Sequence, residues 1–249
     1  DDVIQLSCVG SSPLPTLHNL ADDKNFKGKL IIDVTEILFF STAPHHANAP
    51  QKRIEWYDKR TPAQWFSFKV NSLLESQFVF LDKDFYSLNA LISQYKISNR
   101  KGVFKEPDFP MEFERVHFDR QCFMADKFVA DTNLQNQVKG IWEFFRSITK
   151  DPPLSGHPLD SLLNTVKTDV DKIKARGGKV LFIRTPSSGG YLMGEKMGYP
   201  REKYWERILS ITNCPGIHFE DYPATAHFEC RELSHLKPSD AIIYTTSLV

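Results

Sequence analysis

Glu232 and His235 stand three residues apart in "FECRELSHLKPSDAIIYTT", a polar stretch that runs into an apolar segment near the C-terminus. A carboxylate beside a histidine can accept its Nδ1–H, fix the tautomer and steady the imidazolium as Nε2 takes a proton from a hydroxyl. The bland use of the same residues is a solvated glutamate and a histidine lining the start of a helix. A hydrolytic pair also needs a nucleophile. Gly10-Ser11-Ser12, after an apolar run, offers Ser12 as that nucleophile or Gly10 N–H as an oxyanion donor. The competing use is a turn, with serine capping the helix that follows.

Other motifs are weaker. "RTPSSGGYLMGEK" has Gly189 and Gly194 in phosphate-loop spacing, but Glu195 follows where a lysine is needed. An acid there would repel a phosphate, so the segment is expected to be a flexible glycine-rich loop. His45, His46, His218 and His227 match no common metal spacing, and no metal or other cofactor is expected. No G-x-S-x-G elbow occurs. Trp56, Tyr57, Trp65, Phe66 and Phe68 are expected in a core, a sugar platform being the rarer use of such a cluster.

The elements that must position these residues follow from patterning. The apolar, β-branched stretch 2–10 predicts a buried strand, 14–23 a short helix, and 28–40 a second buried strand. Strand, helix and strand make a parallel βαβ unit. The segment 41–53 reads as an exposed loop, 62–81 and about 84–97 as helices, 111–128 as an extended excursion and 133–148 as a helix. An amphipathic helix over 157–178 carries Leu162, Leu163, Val166 and Val170 on one face. A buried strand over 179–186, a helix over 200–211, a short strand over 216–221 and a terminal helix over 237–248 complete the chain. The fold class is therefore α/β: a three-layer parallel sheet flanked by helices, flavodoxin-like, in a single domain over 1–249 with a mainly helical insertion or cap at about 41–130. Ligands on such sheets bind beyond the carboxyl ends of the strands, which puts Arg184 and Ser187 among the expected substrate contacts.

The bulk numbers narrow the partners. The 249 residues suffice to bury a sizeable core. Lys+Arg and Asp+Glu both number 31, which argues against a nucleic acid held mainly through phosphates. The four cysteines form no C-x-x-C; Cys214 and Cys230 could pair in an oxidising compartment, or stay buried thiols. No apolar run is long enough to cross a membrane and no signal peptide is visible. The chain opens on Asp1 inside an expected strand, as a fragment or processed product would.

Taken together, "ELSHLKPSDA" before the last helix, "VIQLSCVGSSPLPTL" and "VLFIRTPSSGGY" with "YPREKYW" resemble the SGNH (GDSL-type) hydrolase superfamily, in its bacterial, membrane-anchored, extracytoplasmic form. The resemblance covers about residues 2–40 and 178–248. It implies an esterase or O-acyltransferase acting on an ester of a cell-surface carbohydrate or lipid. It implies His235 as general base, Glu232, in place of the usual aspartate, as its orienting partner, and Gly10 in the oxyanion hole. The third block, Gly-x-Asn-Asp, is not seen; "DVTEILFF" with Thr35-Glu36 stands there. The first block, Gly-Asp-Ser, has no clear match. Three readings stay open: a nucleophile and membrane anchor upstream of Asp1, Ser12 as nucleophile, or a non-catalytic relative that binds or scaffolds in surface polysaccharide assembly.

Overall fold

The computed structural model describes residues 3–82, 86–93, 95, 101, 107–116, 121–149 and 152–248. Its centre is a parallel sheet of β1 (Lys29–Asp33), β4 (Lys179–Arg184) and β5 (Gly216–His218), in the order β1-β4-β5. The register runs from Lys29 opposite Lys179 to Asp33 opposite Ile183, and from Phe182 opposite Gly216 to Arg184 opposite His218. Val34 N–H extends the ladder to Ile183 O at 2.8 Å. All three strands therefore end together, at Asp33, Arg184 and His218. The α/β class and the parallel sheet flanked by helices stand as expected.

Helix α1 spans Leu14–Asp22 and α8 spans Gly156–Ala175. They pack on each other, and α8 also packs on β4 and on α10 (Trp205–Thr212). Spacing explains this: Leu159, Leu162, Leu163, Val166, Val170 and Ile173 form one stripe of α8, and all are buried with Val34, Phe182 and Ile208 in the main core. Along β4, burial alternates so that Val180, Phe182 and Arg184 face inward. The last inward position thus puts a guanidinium where the pattern calls for an apolar side chain.

Several expected elements differ. Residues 3–8 form no strand; Val3, Ile4 and Val9 are 95%, 77% and 75% exposed. Strand propensity needs a paired edge and a covered face to express itself, and this stretch has neither. The parallel partner of β1 is therefore β4, far away in sequence, and not residues 3–10; Asp2, the first residue of the expected strand, lies outside the described residues. The second expected strand ends at Asp33, and α2 (Glu36–Phe39) follows.

Residues expected as a loop form α3 (Pro44–Lys59), which contains Pro50. Pro50 has no N–H to give to His46 O, one turn back. Ser12 N–H occupies that carbonyl instead, at 2.8 Å.

Helix α4 (Pro62–Gln77) opens with a capping box of Thr61 and Gln64, and a 3-10 turn, Val79–Leu81, follows. It has no buried residue. Trp56, Tyr57, Trp65, Phe66 and Phe68 are 46–64% exposed, so the expectation of a core there is overturned. Helix α5 (Leu88–Ser93) is what the described residues show of the helix expected at 84–97. The excursion at 111–128 contains a small antiparallel pair, β2 (Arg115–Val116) with β3 (Cys122–Phe123), and opens α6 (Asp126–Ala130); residues 117–120 lie outside the described set. Phe113, Met124, Phe128 and Val138 form a second buried cluster, with α7 (Thr132–Ile148) and its Trp142 against it. Residues 189–198, expected as a flexible loop, are helix α9 (Gly189–Gly198), and α11 spans Pro238–Ser247.

Candidate functional site

Two clusters of buried acids gather around the carboxyl end of the sheet. The first is the pair singled out in the sequence. Glu232 is completely buried, and its carboxylate takes five donors. Oε1 accepts from His235 N at 2.6 Å, Ser234 N at 3.2 Å and His235 Nδ1 at 3.0 Å. Oε2 accepts from Trp142 Nε1 at 2.6 Å and Ser234 Oγ at 2.7 Å. A carboxylate only accepts, so His235 Nδ1 carries the proton and the neutral ring leaves Nε2 free to act as a base. The His235 side chain is 56% exposed, with Phe113 edge-on at 5.3 Å and Trp142 stacked at 6.3 Å between ring centroids.

The loop achieves this with unusual backbone. Leu233 has φ +85°, a left-handed conformation uncommon for leucine, which turns the amides of Ser234 and His235 back onto the Glu232 carboxylate. Strain of this kind persists where surrounding contacts over-determine it. Leu233 O accepts from Ser188 N at 2.9 Å, Leu233 N donates to Cys230 O at 3.1 Å, and Cys230 N donates to Ser188 Oγ at 3.1 Å. Gly189, at φ +55°, is needed by the same approach: a Cβ there would lie 3.1 Å from Leu233 Cδ2.

Charge balance follows from these contacts. Burial alone would raise the Glu232 carboxyl, but the donors from His235, Ser234 and Trp142 outweigh it and hold it below its ordinary value. Crowding disfavours the charged His235 ring, yet Glu232, with Glu114 and Asp33 further off, holds its pKa above the ordinary histidine value. Asp33 also organises hydroxyls at the end of β1. Thr35 Oγ1 donates to Asp33 Oδ2 at 2.7 Å and Thr185 Oγ1 donates to Oδ1 at 3.1 Å.

The second cluster was not foreseen. Arg184, 3% exposed, donates from Nε to Glu36 Oε1 at 2.8 Å and from Nη2 to Glu195 Oε2 at 2.7 Å. Ser187 Oγ donates to Glu195 Oε2 at 2.5 Å, and Nη1 of Arg184 bonds Thr185 O. Burial pushes the Glu36 carboxyl up despite Arg184. Arg184 and Ser187 thus sit at the strand end as expected, but their bonds are to these acids. Thr35-Glu36 at a strand end and an acid at 195 were visible in the sequence; what joins them to Arg184 was not.

The remaining expected site residues are elsewhere. Ser12 is 4% exposed; its Oγ accepts from Leu14 N at 3.3 Å, a cap-like bond. Gly10 forms an exposed turn with φ +57°. Among the described residues no hydrogen bond joins either of them to His235. All four cysteines are free, so Cys214 and Cys230 are not paired; burial pushes the Cys230 thiol up to about 12. Among the described residues no three His, Cys, Asp or Glu gather as cation ligands. No helix of the described residues is long and apolar enough to cross a membrane. Comparison with protein families, with curated proteins and with solved structures gave no match.

Proposed function

We propose that the protein is an SGNH-like ester hydrolase or O-acyltransferase, acting outside the cytoplasm on an acylated carbohydrate or lipid, with His235 as general base and Glu232 as its orienting partner. The observation that carries the reading is the 3.0 Å bond from His235 Nδ1 to a fully buried carboxylate, with the imidazole open to solvent. Such a carboxylate holds the neutral ring in the tautomer that a base needs and stabilises its charged form once it has taken a proton. Thr35, bound to Asp33 just beyond the carboxyl end of β1, is the hydroxyl we assign as nucleophile, because ligands on such sheets bind there. Ser12 we assign to capping and to the carbonyl freed by Pro50.

Cleavage of p-nitrophenyl acetate by the native chain and by His235→Ala, Thr35→Ala and Ser12→Ala tests this. The expected result is a loss of about 100-fold or more for the first two and no change for the third. Unchanged cleavage in His235→Ala contradicts the mechanism, and loss in Ser12→Ala alone moves the nucleophile. The second reading is a non-catalytic domain that binds surface polysaccharide. The absence of a serine hydroxyl bonded to His235 Nε2 among the described residues, Ser234 Oγ meeting Nδ1 instead at 2.9 Å, favours it, and saturable binding of an acylated glycan without turnover by the native chain would establish it.

A further inference from the structure

Helix α4 has no buried residue, and its main packing among the described residues is with the 3-10 turn that follows it. The capping box of Thr61 and Gln64 supports it as a helix without a core behind it. At about 100° per residue, Trp65, Phe66, Phe68, Val70, Leu73 and Leu74 cover about two thirds of its circumference, and Gln64, Ser67, Asn71 and Glu75 form the remaining stripe. Phe66, Leu73, Val79 and Phe80 are 64–70% exposed. Soluble monomers rarely leave an apolar surface of this extent in water. Cations border it. Arg60 lies 3.9 Å from the centroid of the Tyr57 ring, and Lys69 lies 5.9 Å from that of Trp65. Lys52 and Lys59 line a groove of about 320 Å³ with Glu55, Trp56 and Gln64, so two lysines face one acid there. Neither lysine has an ion-pair partner among the described residues. From 44 to 81 five cations stand against three acids, in a chain whose net charge is zero.

We propose that α3 and α4 dock on an anionic lipid surface, the apolar side chains of α4 and its 3-10 turn entering the acyl boundary while Lys52 and Lys59 meet headgroup phosphates. A partner helix covers a stripe of about 100°, whereas a lipid boundary encloses a wider apolar arc. Tyr57 and Trp65, each with a cation near its ring, suit the headgroup level, where the ring stays in apolar surroundings and the charge reaches water. Charge decides between lipid and a second copy. Pairing this face with itself doubles the excess of cations, whereas anionic headgroups neutralise it. The docking is independent of the ester chemistry assigned to His235.

The test is co-sedimentation of the 249-residue chain with vesicles of phosphatidylcholine and phosphatidylglycerol in equal parts, with pure phosphatidylcholine vesicles in parallel and sedimentation velocity without lipid. Partition into the anionic vesicles is expected to exceed that into the neutral ones by about tenfold or more. Lys52→Gln with Lys59→Gln should lower it by about tenfold or more, and Phe66→Ser with Leu73→Ser should do the same. All four side chains are exposed, so both variants are expected to keep the native far-UV circular dichroism. If they do not, the two partitions of the native chain decide alone. No partition into anionic vesicles, or equal partition into both kinds, overturns the proposal. A concentration-dependent dimer that Phe66→Ser with Leu73→Ser abolishes, without preference for anionic vesicles, overturns it in favour of a second copy.

Discussion

The two acid clusters at the sheet edge solve opposite problems. Around Glu232 the donors point at one carboxylate, and its ionisable partner, His235, keeps its far side in water. Around Arg184 the cation is the hub, two carboxylates share it, and each retains an oxygen without a partner among the described residues. The first arrangement is locally complete and leaves a reactive atom outside. The second is locally incomplete and keeps its unmet acceptors inside. Buried charge is tolerable when paired and hydrogen-bonded. This contrast is the basis on which we propose chemistry for the first cluster and a structural role for the second.

Removal of the hubs should separate the two most strongly. Arg184→Met strips both Glu36 and Glu195 of their partner and should destabilise the chain by about 3–5 kcal/mol, read by urea unfolding. Trp142→Phe removes one of five donors to Glu232 and should cost about 1 kcal/mol. Equal losses in the two variants would erase the distinction.

Titration sharpens it further. The folded pKa of His235 is raised, so the pair's stabilisation is present below the unfolded value of 6.5 and is lost as pH rises through the folded value. The folded pKa of Glu232 is lowered, so its share is present above 4.5 and is lost as pH falls through the folded value. The stability difference between the native chain and His235→Ala should therefore be largest between about pH 4.5 and 6.5. Buried His218 behaves in the opposite sense: its folded pKa is lowered to about 4, so the native fold weakens as pH drops from 6.5 toward 4. His218→Gln should flatten that acid limb in a stability–pH profile.

Gly189→Ala is expected to have the smallest effect, about 1 kcal/mol, from positive φ and the contact with Leu233. It should also lower ester cleavage, because Leu233 carries the loop that holds Glu232 and His235. A stable variant with native cleavage would show that the loop does not depend on this approach.

The sequence made some of this legible and hid the rest for a physical reason. Helix α8 and strand β4 announce themselves through local periodicity, which burial then honours. Glu232 and His235 are near neighbours, so their pairing was visible at three residues' spacing. Trp142 lies 90 positions from Glu232, and Glu36 lies 148 positions from Arg184. No local pattern encodes such partners. The stretch 2–10 misleads for the converse reason, since its β-branched composition matches a strand but no neighbouring strand pairs with residues 3–8. At α3 the two prolines suggested a loop, yet Pro44 suits a helix start and Ser12 fills the carbonyl left by Pro50.

The most direct test of the central claim is an NMR titration of the His235 ring, with ¹⁵N shifts to assign its tautomer, in the native chain and in Glu232→Gln. The account predicts a native pKa above 6.5 and a neutral ring protonated on Nδ1, with the pKa falling in the variant. A native pKa at or below 6.5 with the proton on Nε2 would contradict it.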